Sequence, residues 1–166
     1  MPKRPGEKEL DTACLANDAW LTFIGHIETQ YQTPKDCPRS GANSETEAFL
    51  RLKPDFLPGL KSVETCSHLI VLYWMDQAMR SLIEQAPKFD NRSHGTFALR
   101  SPHRPNPIAI STVELLAVLP DGLKIRHIDC VNGTPLLDIK PYFAHSDCVP
   151  DATVGWFSQR DERTRS

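Results

Sequence analysis

The chain has 166 residues, 40% of them hydrophobic and 24% charged, with a formal net charge of -2. That length buries a core in one domain without disulfides or metal, and the near balance of charge excludes a global cationic field, so any RNA contact must come from a local patch. The five cysteines (14, 37, 66, 130, 148) are odd in number and form no Cys-x-x-Cys, which predicts free thiols in a reducing, cytoplasmic compartment. The polar start "MPKRPGEKEL" carries no secretory pattern, and no apolar run approaches the ~20 residues that span a bilayer.

Residues 1–17 hold few large apolar groups and are expected to be a flexible lead-in, ahead of a single domain over 18–145 and a polar C-terminal tail over 146–166. Aromatic and β-branched residues predict a strand over 19–31, followed by a long loop at 32–44 with two prolines and a glycine. A short strand is expected at 46–54 and one helical turn at 58–66. The most apolar run, "SHLIVLYWMD" (67–76), reads as a buried strand. Met79, Leu82, Ile83 and Ala86 stand at helical spacing, which predicts a helix over 77–87 ending at Pro87. A loop covers 88–95, and the alternating 96–100 leads into a proline-rich loop.

Over 108–119 five β-branched residues favour a strand, and the alternation slips near Leu115 and Leu116, as at a bulge. "PDG" at 120–122 is a turn into an alternating strand over 123–131, making a hairpin; "NGT" is a second turn before a strand over 135–143. Six or seven strands with one or two helices and no βαβ alternation predict a mainly β fold: a small antiparallel barrel or sandwich with a helical insertion.

Two segments carry chemistry. In "RSPHRPNP" the prolines at 102, 105 and 107 stiffen a loop bearing Arg100, His103 and Arg104. Proline fixes its own φ and holds the preceding residue extended, so such a loop loses little entropy on binding, and its guanidinium forks suit carboxylate or phosphate. An ordinary structural turn with two solvated arginines explains the same residues equally well. In "DCVNGTPLLDIKPY", Gly133 permits positive φ, and Asp138, between two apolar neighbours, needs a partner that Lys140 supplies. "HIDC" (127–130) and "HSDC" (145–148) pair metal-ligating types, but neighbours on a strand face opposite sides, so no metal is expected. Trp20, Trp74 and Trp156 read as packing residues.

Taken together, "GTFALRSPHRPNPIAISTVELLAV" and "IDCVNGTPLLDIKPYF" closely resemble the TsaA-like, or TrmO, family, and "FIGHIETQY", "PRSG" and "LPGLKSVETCSHLIVLYW" are similar to its earlier segments, so the resemblance covers roughly residues 20–145. It implies a β-barrel, usually a homodimer, that binds S-adenosylmethionine and methylates N6 of threonylcarbamoyl-adenosine beside the anticodon of tRNA. By family position the cofactor residues would be Pro38, Arg39, Ser40, Asp76, Gln77, Arg100, Ile110, Asn132, Gly133, Thr134 and Pro135. Tyr142, Asp138 or His103 would accept the proton released by a nitrogen nucleophile, and Arg104 and Lys140 would meet the RNA, within a basic face that adds His103, Lys124 and Arg126; Arg160, Arg163 and Arg165 on the tail could extend it, but they read better as a solubilising end. The chain departs from the family at Ser40, where glutamine is usual, at Asp76, where histidine is usual, and at Asn132, where aspartate is usual. A module that binds S-adenosylmethionine without methylating RNA, or that methylates another small molecule, is the alternative.

Overall fold

The computed structural model describes residues 4–11, 18–88, 90 and 92–157. Among the described residues nine strands follow in chain order: β1 (Lys8–Glu9), β2 (Gly25–Glu28), β3 (Glu47–Leu52), β4 (His68–Trp74), β5 (Leu82–Gln85), β6 (His94–Gly95), β7 (Ile108–Leu119), β8 (Gly122–Arg126) and β9 (Thr134–Pro141). Six of them close a barrel in the order β2-β3-β8-β7-β4-β9, every pair antiparallel, and β1-β5-β6 form a separate three-stranded sheet.

Period-two patterning builds the barrel. In β4, Leu69, Val71 and Tyr73 are buried while Ile70, Leu72 and Trp74 are half-buried on the outer side. The inward set joins Ile27, Leu50, Val113, Leu123, Ile125 and Leu136 in one aliphatic core. Each such side chain contributes roughly 1.5–3 kcal/mol by leaving water. Glycines flank β3 on both sides: a Cβ at Gly25 would fall 1.9 Å from the Arg51 carbonyl oxygen, and one at Gly122, where φ is +152°, would fall 1.8 Å from that of Leu50. The anticipated bulge is present, as the β7–β8 register shifts between Leu115 and Ala117.

The predicted helix over 77–87 is a strand instead. Eleven residues make a helix that is marginal alone, whereas β5 gains partners on both sides, Glu84 pairing with Lys8 and with Gly95. The insertion is thus a small sheet rather than a helix. The first predicted strand narrows to β2, leaving Trp20 almost fully exposed. Residues 96–98 form a 3-10 turn rather than continuing a strand. Strand β8 ends at Arg126 because His127 adopts a φ of 74°, outside the extended region.

The lead-in contributes β1, with Glu7 buried, and the polar segment after the barrel holds a four-residue helix, α1 (Ala144–Asp147). Beyond α1, the Trp156 ring packs 4.2 Å from that of His94, and its Nε1 donates to the Ala98 carbonyl at 3.2 Å. Arg160, Arg163 and Arg165 lie outside the described residues.

Candidate functional site

The proline loop is tied down from within and from the small sheet. Arg104 turns back on its own loop: Nε donates to the Ser101 carbonyl at 2.8 Å, and Nη2 to the carbonyls of Leu99 and, at 3.5 Å, Thr96. From β5, the buried Gln85 Nε2 donates to the His103 carbonyl at 2.6 Å and to Thr96 Oγ1 at 2.8 Å, and Thr96 Oγ1 donates to the Leu82 carbonyl at 3.0 Å. Just before β5, Arg80 Nε donates to the Pro105 carbonyl at 2.8 Å, and the Met79 N–H donates to His103 Nδ1 at 3.1 Å. Fixing φ removes one source of loop motion, and these bonds restrain the loop further.

Two cavities flank the loop. The larger, of about 680 Å³, lies between Arg100, Ser101, Pro102 and Arg104, the start of β7, the 39–42 loop, His127 and Asp129. The smaller, of about 200 Å³, lies beside Pro34, Cys37, Met75–Ala78, His103, Val131 and Thr134. Met75, Pro102 and Asp129 border both. In the larger cavity Asp129 is the one carboxylate among the described lining residues, which also include Arg39, Arg100, Arg104 and His127.

Asp129 is held rigidly. Its Oδ2 accepts from the Gly41 N–H at 3.0 Å, and its Oδ1 from the Tyr73 hydroxyl at 3.1 Å. Having donated there, the Tyr73 oxygen accepts from Ser111 Oγ, 3.0 Å away. Burial, and next the Asp129 charge, push the Tyr73 phenol well above the usual range. Burial also raises the Cys37 thiol, with Asp129 and Asp36 adding to it, and it lowers the His103 imidazole.

The structure brings Arg39, Ser40, Arg100, Ile110 and Arg104 to the larger cavity, and Asp76, Gln77, His103 and Thr134 to the smaller. Pro38 only precedes this wall in the chain. The glycine turn fastens β9 to β2: Asn132 Oδ1 accepts from the Thr29 N–H at 3.1 Å, the Gly133 N–H donates to the Ile27 carbonyl at 2.8 Å, and Pro135 lies opposite His26 in the ladder. Gly133 has a φ of +83°, so this turn needs the glycine for its conformation.

Neither cavity is lined by Asp138, Lys140 or Tyr142. Asp138 and Lys140 pair with each other at 2.6 Å, opposite the outward Leu72 and Ile70. The Tyr142 N–H donates to the His68 carbonyl, five residues along β4 from Tyr73, or ~16 Å at the rise of a strand. Lys124 and Arg126 are likewise engaged, with Glu47 at 2.7 Å and Glu114 at 3.4 Å, so the cationic groups facing the cleft are those around the proline loop. The sequence marks Asp129 only as one polar residue among several, His127 only within a quartet weighed for metal, and Tyr73 not at all; alternation hides Tyr73 among strand residues. Among the described residues no three His, Cys, Asp or Glu side chains form a metal cage, and no helix is long and apolar enough to cross a membrane.

Comparison with known proteins places this site in context. A family model, the tRNA-methyltransferase O N-terminal domain, matches residues 26–148. A probable S-adenosyl-L-methionine-binding protein of Archaeoglobus fulgidus is 43% identical over 145 residues, covering 87% of this chain and 40% of that protein. An S-adenosyl-L-methionine-binding protein of the same organism is 39% identical over 129 residues, covering 78% of this chain and 93% of that one. The crystal structure of TrmO from Pseudomonas aeruginosa superposes with a TM-score of 0.68 at 32% identity, covering 82% of this chain and 62% of that one. The chain therefore spans well under two thirds of the first of these relatives and slightly under two thirds of the solved TrmO chain. With the family model matched over most of its length and a barrel shared with TrmO, the chain belongs to the TrmO, or TsaA-like, family.

Proposed function

We propose that the chain is an S-adenosylmethionine-dependent methyltransferase that modifies N6 of threonylcarbamoyl-adenosine in the tRNA anticodon loop. The observation that carries this reading is the cleft beside the proline loop, lined by Arg39, Arg100 and Arg104 together with one pinned carboxylate, Asp129. The donor set fits the ligand. Arg39, with no hydrogen bond or ion pair recorded among the described residues, and Arg100, with only Nη2 engaged by the Ile110 carbonyl at 3.0 Å, would hold the carboxylate of S-adenosylmethionine. Asp76 and Gln77, both exposed at the smaller cavity, would take its ammonium or ribose hydroxyls. When bound, the ligand supplies a methyl group on a sulfonium, electrophilic enough to need no metal. The chain's part is to orient and to exclude water, and orientation alone is worth about 7–11 kcal/mol in such reactions.

Arg104 shapes the loop through the carbonyls it binds and also borders the cleft, where it would meet phosphate. A homodimer fits Ile108 and Ile110, 41% and 50% exposed, which prolong the apolar outer side of β4 and β7 at the cleft mouth; sedimentation tests it. Four free cysteines among the described residues suit a cytoplasmic setting.

A second reading, S-adenosylmethionine binding without methyl transfer, is favoured by the names of the two Archaeoglobus relatives. Calorimetry with S-adenosylmethionine, together with mass spectrometry of tRNA from a strain lacking the gene, separates the two. Binding plus the loss of one methyl on the modified adenosine supports the first reading; binding with unchanged tRNA supports the second; no binding refutes both.

A further inference from the structure

We propose that Asp129 is the carboxylate that receives the N–H of the methyl acceptor, at the junction of the two cavities; this rests on the methyl-transfer reading above. Asp129 borders both cavities, so a molecule in either reaches it. Its two recorded hydrogen bonds, one to each oxygen, come from the neutral donors Gly41 N–H and Tyr73 hydroxyl. A carboxylate offers about four lone-pair sites, which leaves each oxygen one more to give. No ion pair to Arg39, Arg100 or Arg104 is recorded among the described residues, so its charge stays available in the cleft. Because Tyr73 is buried and bonded to Ser111 as well, the carboxylate is oriented before any ligand arrives, which avoids reorganisation during reaction.

The other acids and bases are worse placed. Asp138 is paired with Lys140, and Tyr142 stands near the opposite end of β4. His103 has Nδ1 occupied by the Met79 N–H, leaving only Nε2. The step balances simply. As the acceptor nitrogen bonds to the methyl carbon, the carbon–sulfur pair stays on sulfur, which becomes a neutral thioether. The proton of the now-cationic nitrogen passes to an Asp129 oxygen and then to water.

The test compares Asp129→Asn with wild type against two ligands and one reaction. S-adenosylhomocysteine lacks the methyl; sinefungin, the amine analogue of S-adenosylmethionine, carries an ammonium in its place. Calorimetry is expected to show sinefungin binding weakened at least tenfold while S-adenosylhomocysteine stays within threefold. Single-turnover methylation of total tRNA from a strain lacking the gene is expected to fall at least 100-fold, the usual reach of a proton acceptor. Asp129→Ser is read in the same way if the Asn variant melts early. Equal losses for both ligands, unchanged sinefungin binding, or methylation within tenfold of wild type would overturn the inference while leaving the methyl-transfer reading intact. A wild-type chain that binds neither ligand would sink both together.

Discussion

The barrel and the small sheet beside it are held by different forces. The barrel core is aliphatic: Ile27, Leu50, Leu69, Val71, Val113, Leu123, Ile125 and Leu136 all lie inside. The small sheet buries Leu82, but it and its flanking residues also bury Glu7, Gln85 and Thr96, polar side chains whose value lies in where their hydrogen bonds point. Burial of methyl groups is non-directional and resists mutation by repacking. A buried amide tolerates no such slack, because an orphaned carbonyl or hydroxyl costs ~1–3 kcal/mol. The barrel supplies stability, and the small sheet supplies the position of the loop on which the cleft depends.

Four measurements sharpen or break this contrast. The largest effect belongs to the barrel: Leu123→Ala should cost about 2–5 kcal/mol in urea unfolding and weaken every probe together, since Leu123 is fully buried. A loss confined to one strand would show that the barrel is not one cooperative unit. Next, Arg100→Ala should lower S-adenosylmethionine affinity at least tenfold, as a charged hydrogen bond is worth ~1.5–3 kcal/mol, with stability unchanged because the side chain is exposed; calorimetry and a thermal melt read the two quantities. Gln85→Leu should cost about 1–3 kcal/mol, with faster amide exchange concentrated in residues 79–105 and ligand affinity falling alongside. Uniform acceleration across the barrel would contradict a separate role for the small sheet.

The smallest effect is on pH. The His103 imidazole is lowered in the fold, first by burial, from an ordinary 6.5. The unfolded chain therefore takes the proton more readily, so this contribution is complete above about pH 6.5 and is lost as pH falls from there through the folded value. His103→Asn, which keeps an acceptor for the Met79 N–H, should flatten that part of the stability–pH curve; an unaltered slope would remove His103 as its cause.

Much of the barrel was legible because alternation is written residue by residue: β4 and the β7 bulge both follow from it. The strand at Leu82–Gln85 was not, because its apolar residues also fit helical spacing and its choice is made by pairing with Lys8 and Gly95, both distant in sequence. The site was legible where a stiff basic loop announces itself, at Arg100 and Arg104. Asp129 becomes prominent only once Gly41 and Tyr73, 88 and 56 residues away in the chain, are folded against it. Asp138 is half-buried and paired with Lys140, as its apolar neighbours suggest, but this pair lies on the outer face and lines neither cavity, which one strand's pattern does not reveal.

Ring closure also has a consequence for association. Each of the six barrel strands pairs with two others, so none is an edge strand, and the one-sided stretches, such as Ile108–Val113 of β7, are short. The exposed rims of the small sheet are only two residues long, and one of them, Lys8–Glu9, is charged throughout. Such short margins give a foreign strand almost nothing to zip onto, so crowded solutions of this protein should resist fibril growth for as long as the ring stays shut.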